Sequence, residues 1–124
     1  MLTDTEGRVL LVRHTYTDGW YLPGGGVDRR ESPEEALRRE LAEELRITDP
    51  PPLVRFGEYL NTREYKRDTI VIFTVGGFAG GLSPNREIAA AEFFHPRSLP
   101  PGLSPGTRRR IDEWLGLARI DGRW

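Results

Sequence analysis

The stretch from Leu22 to Ile47, LPGGGVDRRESPEEALRRELAEELRI, constrains this chain most, because a glycine-rich loop runs straight into a helix with two chemically different faces. Pro23 ends an aromatic run, and Gly24, Gly25 and Gly26 allow turns and close approaches that a Cβ would block. The helix start is marked three times over. Ser32 suits an N-cap, Pro33 falls at the first helical position where a missing N–H is harmless, and Glu35 completes a capping box. From Glu34 to Arg46 no residue is β-branched, glycine or proline, and Ala, Leu, Glu and Arg dominate, so the spacing predicts a helix over this span.

Steps of about 100° per residue place Leu37, Leu41, Ala42 and Leu45 on one arc, and Ala36, Glu40, Glu43 and Glu44 on another. The first arc suits a core. On the second, three carboxylates one turn apart repel each other unless cations or arginines neutralise them. Clustered hard oxygen donors suit Mg²⁺ or Mn²⁺. The same spacing also describes an ordinary solvated face, with Arg38, Arg39 and Arg46 as its partners, and the helix alone favours that plainer reading.

The longer spacing reverses the balance, since it resembles the Nudix box, G-x5-E-x7-R-E-U-x-E-E-x-G-U with U a bulky aliphatic. The matching residues are Gly25, Glu31, Arg39, Glu40, Leu41, Glu43, Glu44 and Ile47, with Arg46 where the family has glycine. The preceding LPGG also looks like the family. The resemblance implies Mg²⁺ as cofactor, with Mn²⁺ as a substitute, held by Glu40, Glu43, Glu44 and the Gly25 carbonyl, and Arg39 paired with Glu31 to fix the loop on the helix. It implies a pyrophosphohydrolase acting on a nucleoside diphosphate linked to another moiety, with Glu40, Glu87 or Glu92 as base. Arg13 and Tyr65 match positions that reach substrate in some relatives, and Glu92 is a further substrate candidate. Arg46 removes the residue that usually ends the helix, so the left-handed turn is either strained in place or moved downstream.

Length and composition fit these expectations. A chain of 124 residues and 14.1 kDa suits one domain, 1–124, with a single core. The net charge of −1 supplies no field toward nucleic acid or membrane, and the absence of cysteine excludes a disulfide scaffold or a thiolate nucleophile. Neither a membrane-length apolar run nor a basic-then-apolar leader is present, so a cytoplasmic location is expected.

Strands are expected at Arg8–His14 after a turn, with only Met1 and Leu2 left of a strand that is fuller in the family, so a short first strand and a start further upstream both stay open. Further strands are expected at Gly19–Leu22, at Leu53–Leu60 with Val54, Phe56, Glu58 and Leu60 on one side, and at Thr69–Val75. Gly76–Pro84 reads as a loop. A final helix from Gly106 to Leu117, capped by Ser104, carries an apolar stripe of Ile111, Trp114, Leu115 and Ala118, with Arg108, Arg109 and Arg110 toward solvent. Strands interleaved with two helices predict α/β or α+β packing, and the resemblance makes that an α/β/α sandwich with a mixed sheet between helices. A non-catalytic nucleotide-sensing module is the alternative function, and a short first strand leaves a sheet edge that a second copy can cover.

Overall fold

The computed structural model describes residues 1–61 and 68–124. The element order is β1 (Leu2–Asp4), β2 (Val9–His14), α1 (Pro33–Leu45), β3 (Val54–Asn61), β4 (Asp68–Phe78), β5 (Ile88–Phe94) and α2 (Pro105–Trp114). Five strands form one sheet in the order β3-β4-β1-β2-β5. Only β1 and β4 run parallel, so the sheet is mixed as expected.

The run VLLVRH explains the layering. Successive side chains of a strand point to opposite faces, and Val9, Leu10, Leu11 and Val12 are all fully buried. Leu10 and Val12 join Leu41, Leu45 and Ile47 of the α1 side. Val9 and Leu11 join Ile111 of α2 and Tyr59. With each such side chain worth about 1.5–3 kcal/mol on burial, one strand glues two helical layers to the sheet.

Several sequence expectations need correction. The segment Gly76–Phe78 continues β4 instead of opening a loop, because β1 pairs with it at Leu2↔Val75 and Asp4↔Phe78 across an irregularity where Gly77 takes φ 75°. On β3 the expected phase fails: Tyr59 is fully buried, whereas Val54 and Leu60 are exposed. A register shift between Arg55 and Gly57 puts both Phe56 and Tyr59 on the α2 side. Ala118 lies beyond the end of α2 and is exposed. Arg110 does not face solvent. It is buried, with its guanidinium carbon 3.8 Å above the Tyr59 ring and its Nε 2.5 Å from Glu113 Oε1.

Helix α1 starts as its sequence predicts, with the Ser32–Glu35 capping box formed. It ends in place at Arg46, which adopts φ 58° and ψ 33°, while Ile47 N–H donates to the Leu41 carbonyl at 3.0 Å. The buried arc is turned from the expected one: Ala36, Leu41, Glu44 and Leu45 are buried and Ala42 is only half-buried. That rotation carries Glu44 into the protein.

Candidate active site

Glu40 and Glu44 lie one turn apart on the same helix face, where each carboxylate disfavours a charge on the other. Glu44 is 7 % exposed and its Oε2 has no hydrogen-bond partner. Burial pushes the Glu44 carboxyl up to about 8, helped by the Glu40 hydrogen bond and the charges of Glu40, Glu87 and Glu43. A buried oxygen left unpaired is costly unless a proton or a cation meets it. The glycine loop presses on the same spot. A Cβ on Gly25 would sit 2.5 Å from Glu40 Oε1, so any side chain at position 25 would move this carboxylate from its place beside Arg39.

Arg39 ties loop to helix. Its Nε and Nη2 meet Glu31 Oε2 and Oε1 at 2.8 and 3.0 Å, a two-pronged grip, and Nη2 also donates to the Gly26 carbonyl at 3.0 Å. Nη1 donates to Glu40 Oε1 at 3.0 Å and lies 3.5 Å from Glu43 Oε2. The Glu31 hydrogen bonds, first among several causes, hold the guanidinium well above its ordinary value, and in return Arg39 lowers Glu31. The other two arginines do not serve this face: Arg38 pairs with Glu34, and Arg46 is an exposed helix cap.

Glu87 is brought close by a residue that the sequence reading missed. Asn85 N–H donates to the Glu44 carbonyl at 2.8 Å, its Nδ2 to the Glu43 carbonyl at 3.1 Å, and its Oδ1 accepts from Glu87 N–H at 2.9 Å. Backbone and side chain of this one residue thus satisfy two helix-end carbonyls, and its amide oxygen holds the Glu87 backbone in place. The signal in the sequence was the Pro84-Asn85 turn. From the other side, Thr15 N–H donates to the Glu87 carbonyl at 2.9 Å. Tyr16 beside it is exposed, yet partial desolvation, then the charges of Glu44, Glu87 and Glu40, raise its hydroxyl, which places it at the rim of the carboxylates.

Other candidates fall elsewhere. Arg13 projects to the α2 side, its guanidinium carbon 5.3 Å from the Trp20 ring centroid. Glu92 pairs in register with Leu11, so it shares that side and faces away from α1. Tyr65 lies outside the described residues. Among the described residues no three acidic or histidine side chains converge as a finished cation cage, and Glu43 leans toward Arg39. What the helix offers still fits a hard divalent ion. Mg²⁺ keeps waters and substrate oxygens and needs only one or two carboxylates, and the partnerless Glu44 oxygen beside Glu40 is such a donor pair.

Across the glycine loop from Glu40 lies a cavity of about 600 Å³. It exists because β1 flanks β4 only from Val75 onward, leaving Thr69–Phe73 open toward the Tyr21–Val27 loop. No helix among the described residues is long and apolar enough to cross a membrane.

A mixed sheet between two helices, with an acidic helix clamped to a glycine loop, defines a small α/β/α protein of the Nudix type. The chain belongs to the NUDIX domain family, whose model matches residues 1–115. Similar solved structures include the MutT protein of Methanosarcina mazei Go1, with TM-score 0.78, 24% identity, and coverage of 94% of this chain and 88% of that one. A MutT NUDIX hydrolase from Burkholderia pseudomallei matches with TM-score 0.76 and 24% identity over 90% of this chain and 92% of that one. A curated relative, the RNA pyrophosphohydrolase of Ectopseudomonas mendocina (strain ymp), is 49% identical over 49 residues. That match spans 40% of this chain and about a third, 31%, of the relative's length.

Proposed function

We propose that this protein is a divalent-cation-dependent hydrolase of the P–O–P bridge in a nucleoside diphosphate linked to another moiety. The observation that carries the reading is the Glu44 oxygen, buried without a partner beside Glu40, the carboxylate that faces Gly25. Glu40, Glu43 and Glu44, with the Gly25 carbonyl, are the residues that would hold Mg²⁺ or Mn²⁺. When bound, the cation supplies charge neutralisation for phosphoryl oxygens and lowers the pKa of water.

The remaining work belongs to this chain's own groups. Arg39 pins the Gly26 carbonyl and the Glu40 carboxylate together, so loop and helix approach substrate as one rigid unit. Glu87, fixed by Asn85 and Thr15 at the rim, is the base we favour for the attacking water, with Glu40 second. Glu92 faces the opposite side of the sheet and is not favoured as a base. Its place near Arg13 keeps both as candidates for contact with distal parts of a substrate.

Substrate choice is tested by phosphate release from nucleoside triphosphates, nucleotide sugars, ADP-ribose, dinucleoside polyphosphates and 5′-triphosphorylated RNA. Each is assayed with Mg²⁺, with Mn²⁺ and with chelator. The RNA arm is included because the curated relatives are named RNA pyrophosphohydrolases, although a net charge of −1 adds nothing in its favour. We expect cation-dependent cleavage of one class, reduced at least about a thousandfold by Glu44→Gln with an unchanged circular dichroism spectrum. Turnover retained in that folded variant would remove the metal assignment. Nucleotide binding without turnover by the native chain would favour the sensing module.

A further inference from the structure

We infer that Trp124 is the stacking wall for the aromatic base of the bound nucleoside diphosphate, so that the segment following α2 selects the substrate. The inference rests on the hydrolase reading above and adds which moiety fills the cavity and which side chain recognises it.

The cavity of about 600 Å³ is the size of a small-ligand site. Leu22, Ile70, Ile72 and Trp124 give it apolar walls, and Asn61 and Thr69 add polar edges. A planar, partly polar group suits this mixture better than a phosphate, for which the lining offers no arginine or lysine among the described residues. Gly24, Gly25 and Gly26 form its border toward Glu40. A base held in the cavity would therefore leave its diphosphate at the glycine loop, next to the carboxylates.

Trp124 is fixed before any ligand arrives. Its backbone N–H donates to the Leu60 carbonyl at 3.1 Å, Leu60 N–H donates to the Gly122 carbonyl at 2.8 Å, and Arg109 donates to the Trp124 carbonyl. The indole rests directly on Gly106, where a Cβ would come within 2.5 Å of Trp124 Cε2. The Arg110 guanidinium carbon stands 5.0 Å from its ring centroid, and Tyr59 meets it edge-on at 6.2 Å. A ring immobilised this way loses little freedom when a base stacks on it. Gly106 is the telling element, since any larger residue there would displace the indole from its seat on α2.

The test uses the full chain with Trp20→Phe and Trp114→Phe, leaving Trp124 as its one remaining indole, titrated in chelator with ADP and separately with pyrophosphate. ADP should quench the emission and pyrophosphate should not. Calorimetric titration of the otherwise native chain with ADP reads the same affinity with Trp20 and Trp114 untouched. There Trp124→Ala and Gly106→Ala should each weaken ADP binding about tenfold, the size of one lost base–aromatic stack, while Trp124→Phe keeps most of it. In turnover assays the same loss should appear in KM and not in kcat. Equal quenching by pyrophosphate, or ADP affinity unchanged by Trp124→Ala in an enzyme that still hydrolyses nucleotides, would overturn the inference and leave the hydrolase reading standing. Base-dependent quenching in a protein that cleaves no nucleotide would uphold the inference and remove the hydrolase reading.

Discussion

Arg46 holds a left-handed backbone that a glycine would adopt without strain, at φ 58° and ψ 33°. The sequence posed two outcomes, strain in place or a turn moved downstream, and burial decides between them. Ile47 is 4 % exposed and its N–H closes the helix end on the Leu41 carbonyl, so a later turn would pull Ile47 from the core. Replacing Arg46 with Gly should stabilise the fold by about 1 kcal/mol, read from urea unfolding midpoints, because the left-handed penalty disappears. A lower midpoint would mean that the Arg46 side chain contributes more than its backbone costs. At the same scale, the pattern of glutamates is legible from sequence, since spacing along a helix fixes which side chains share a face. The burial of Glu44 is not legible there, because it depends on long-range packing at the end of α1, where Ser83 and Asn85 donate to the Leu45 and Glu44 carbonyls.

Elements differ from expectation where pairing across the chain overrides local composition. Glycines at 76 and 77 read as loop, yet β1 recruits them into β4. The alternation of β3 reads cleanly until the shift between Arg55 and Gly57 inverts which residues are buried. The caps of α1 and α2, set by residues within a few positions, form as Ser32, Pro33, Ser104 and Pro105 dictate. The segment Ser83–Glu87 carries its own prediction. Asn85→Ala removes the contacts to the Glu43 carbonyl and the Glu87 N–H, which should cost about 1–2 kcal/mol in chemical denaturation. It should also lower kcat about tenfold by releasing Glu87. Unaltered kcat in a destabilised variant would show that Glu87 is not the base.

For the molecule as a whole, two features govern stability. Arg110 and Glu113 form a buried pair under Tyr59, and removing one partner strands the other charge. Glu113→Ala should therefore destabilise by about 3 kcal/mol, whereas Arg110→Met with Glu113→Leu should stay within about 1 kcal/mol of the native chain, both from urea unfolding. A mild effect of the single change would show that the pair is solvated on opening. The second feature is the carboxylate face. With Glu44 raised from 4.5 to about 8 in the folded state, its stabilising share is complete below about pH 4.5 and is lost as pH rises through about 8. A difference experiment isolates Glu44. In calorimetric melting, Mg²⁺ added to chelated protein should raise Tm more at about pH 8.5 than at about pH 5.5, and Glu44→Gln should erase that contrast. Equal shifts at both pH values would place the cation elsewhere.

The contact between Gly25 and Glu40 also sets how an inherited change at position 25 reaches the carboxylate face. Every missense change of a glycine codon installs a Cβ, so each heritable amino-acid replacement at position 25 drives an atom into the carboxylate that faces it. The residue with no side chain therefore bears on the carboxylate face through the space it leaves, although it contributes no functional group of its own beyond its backbone.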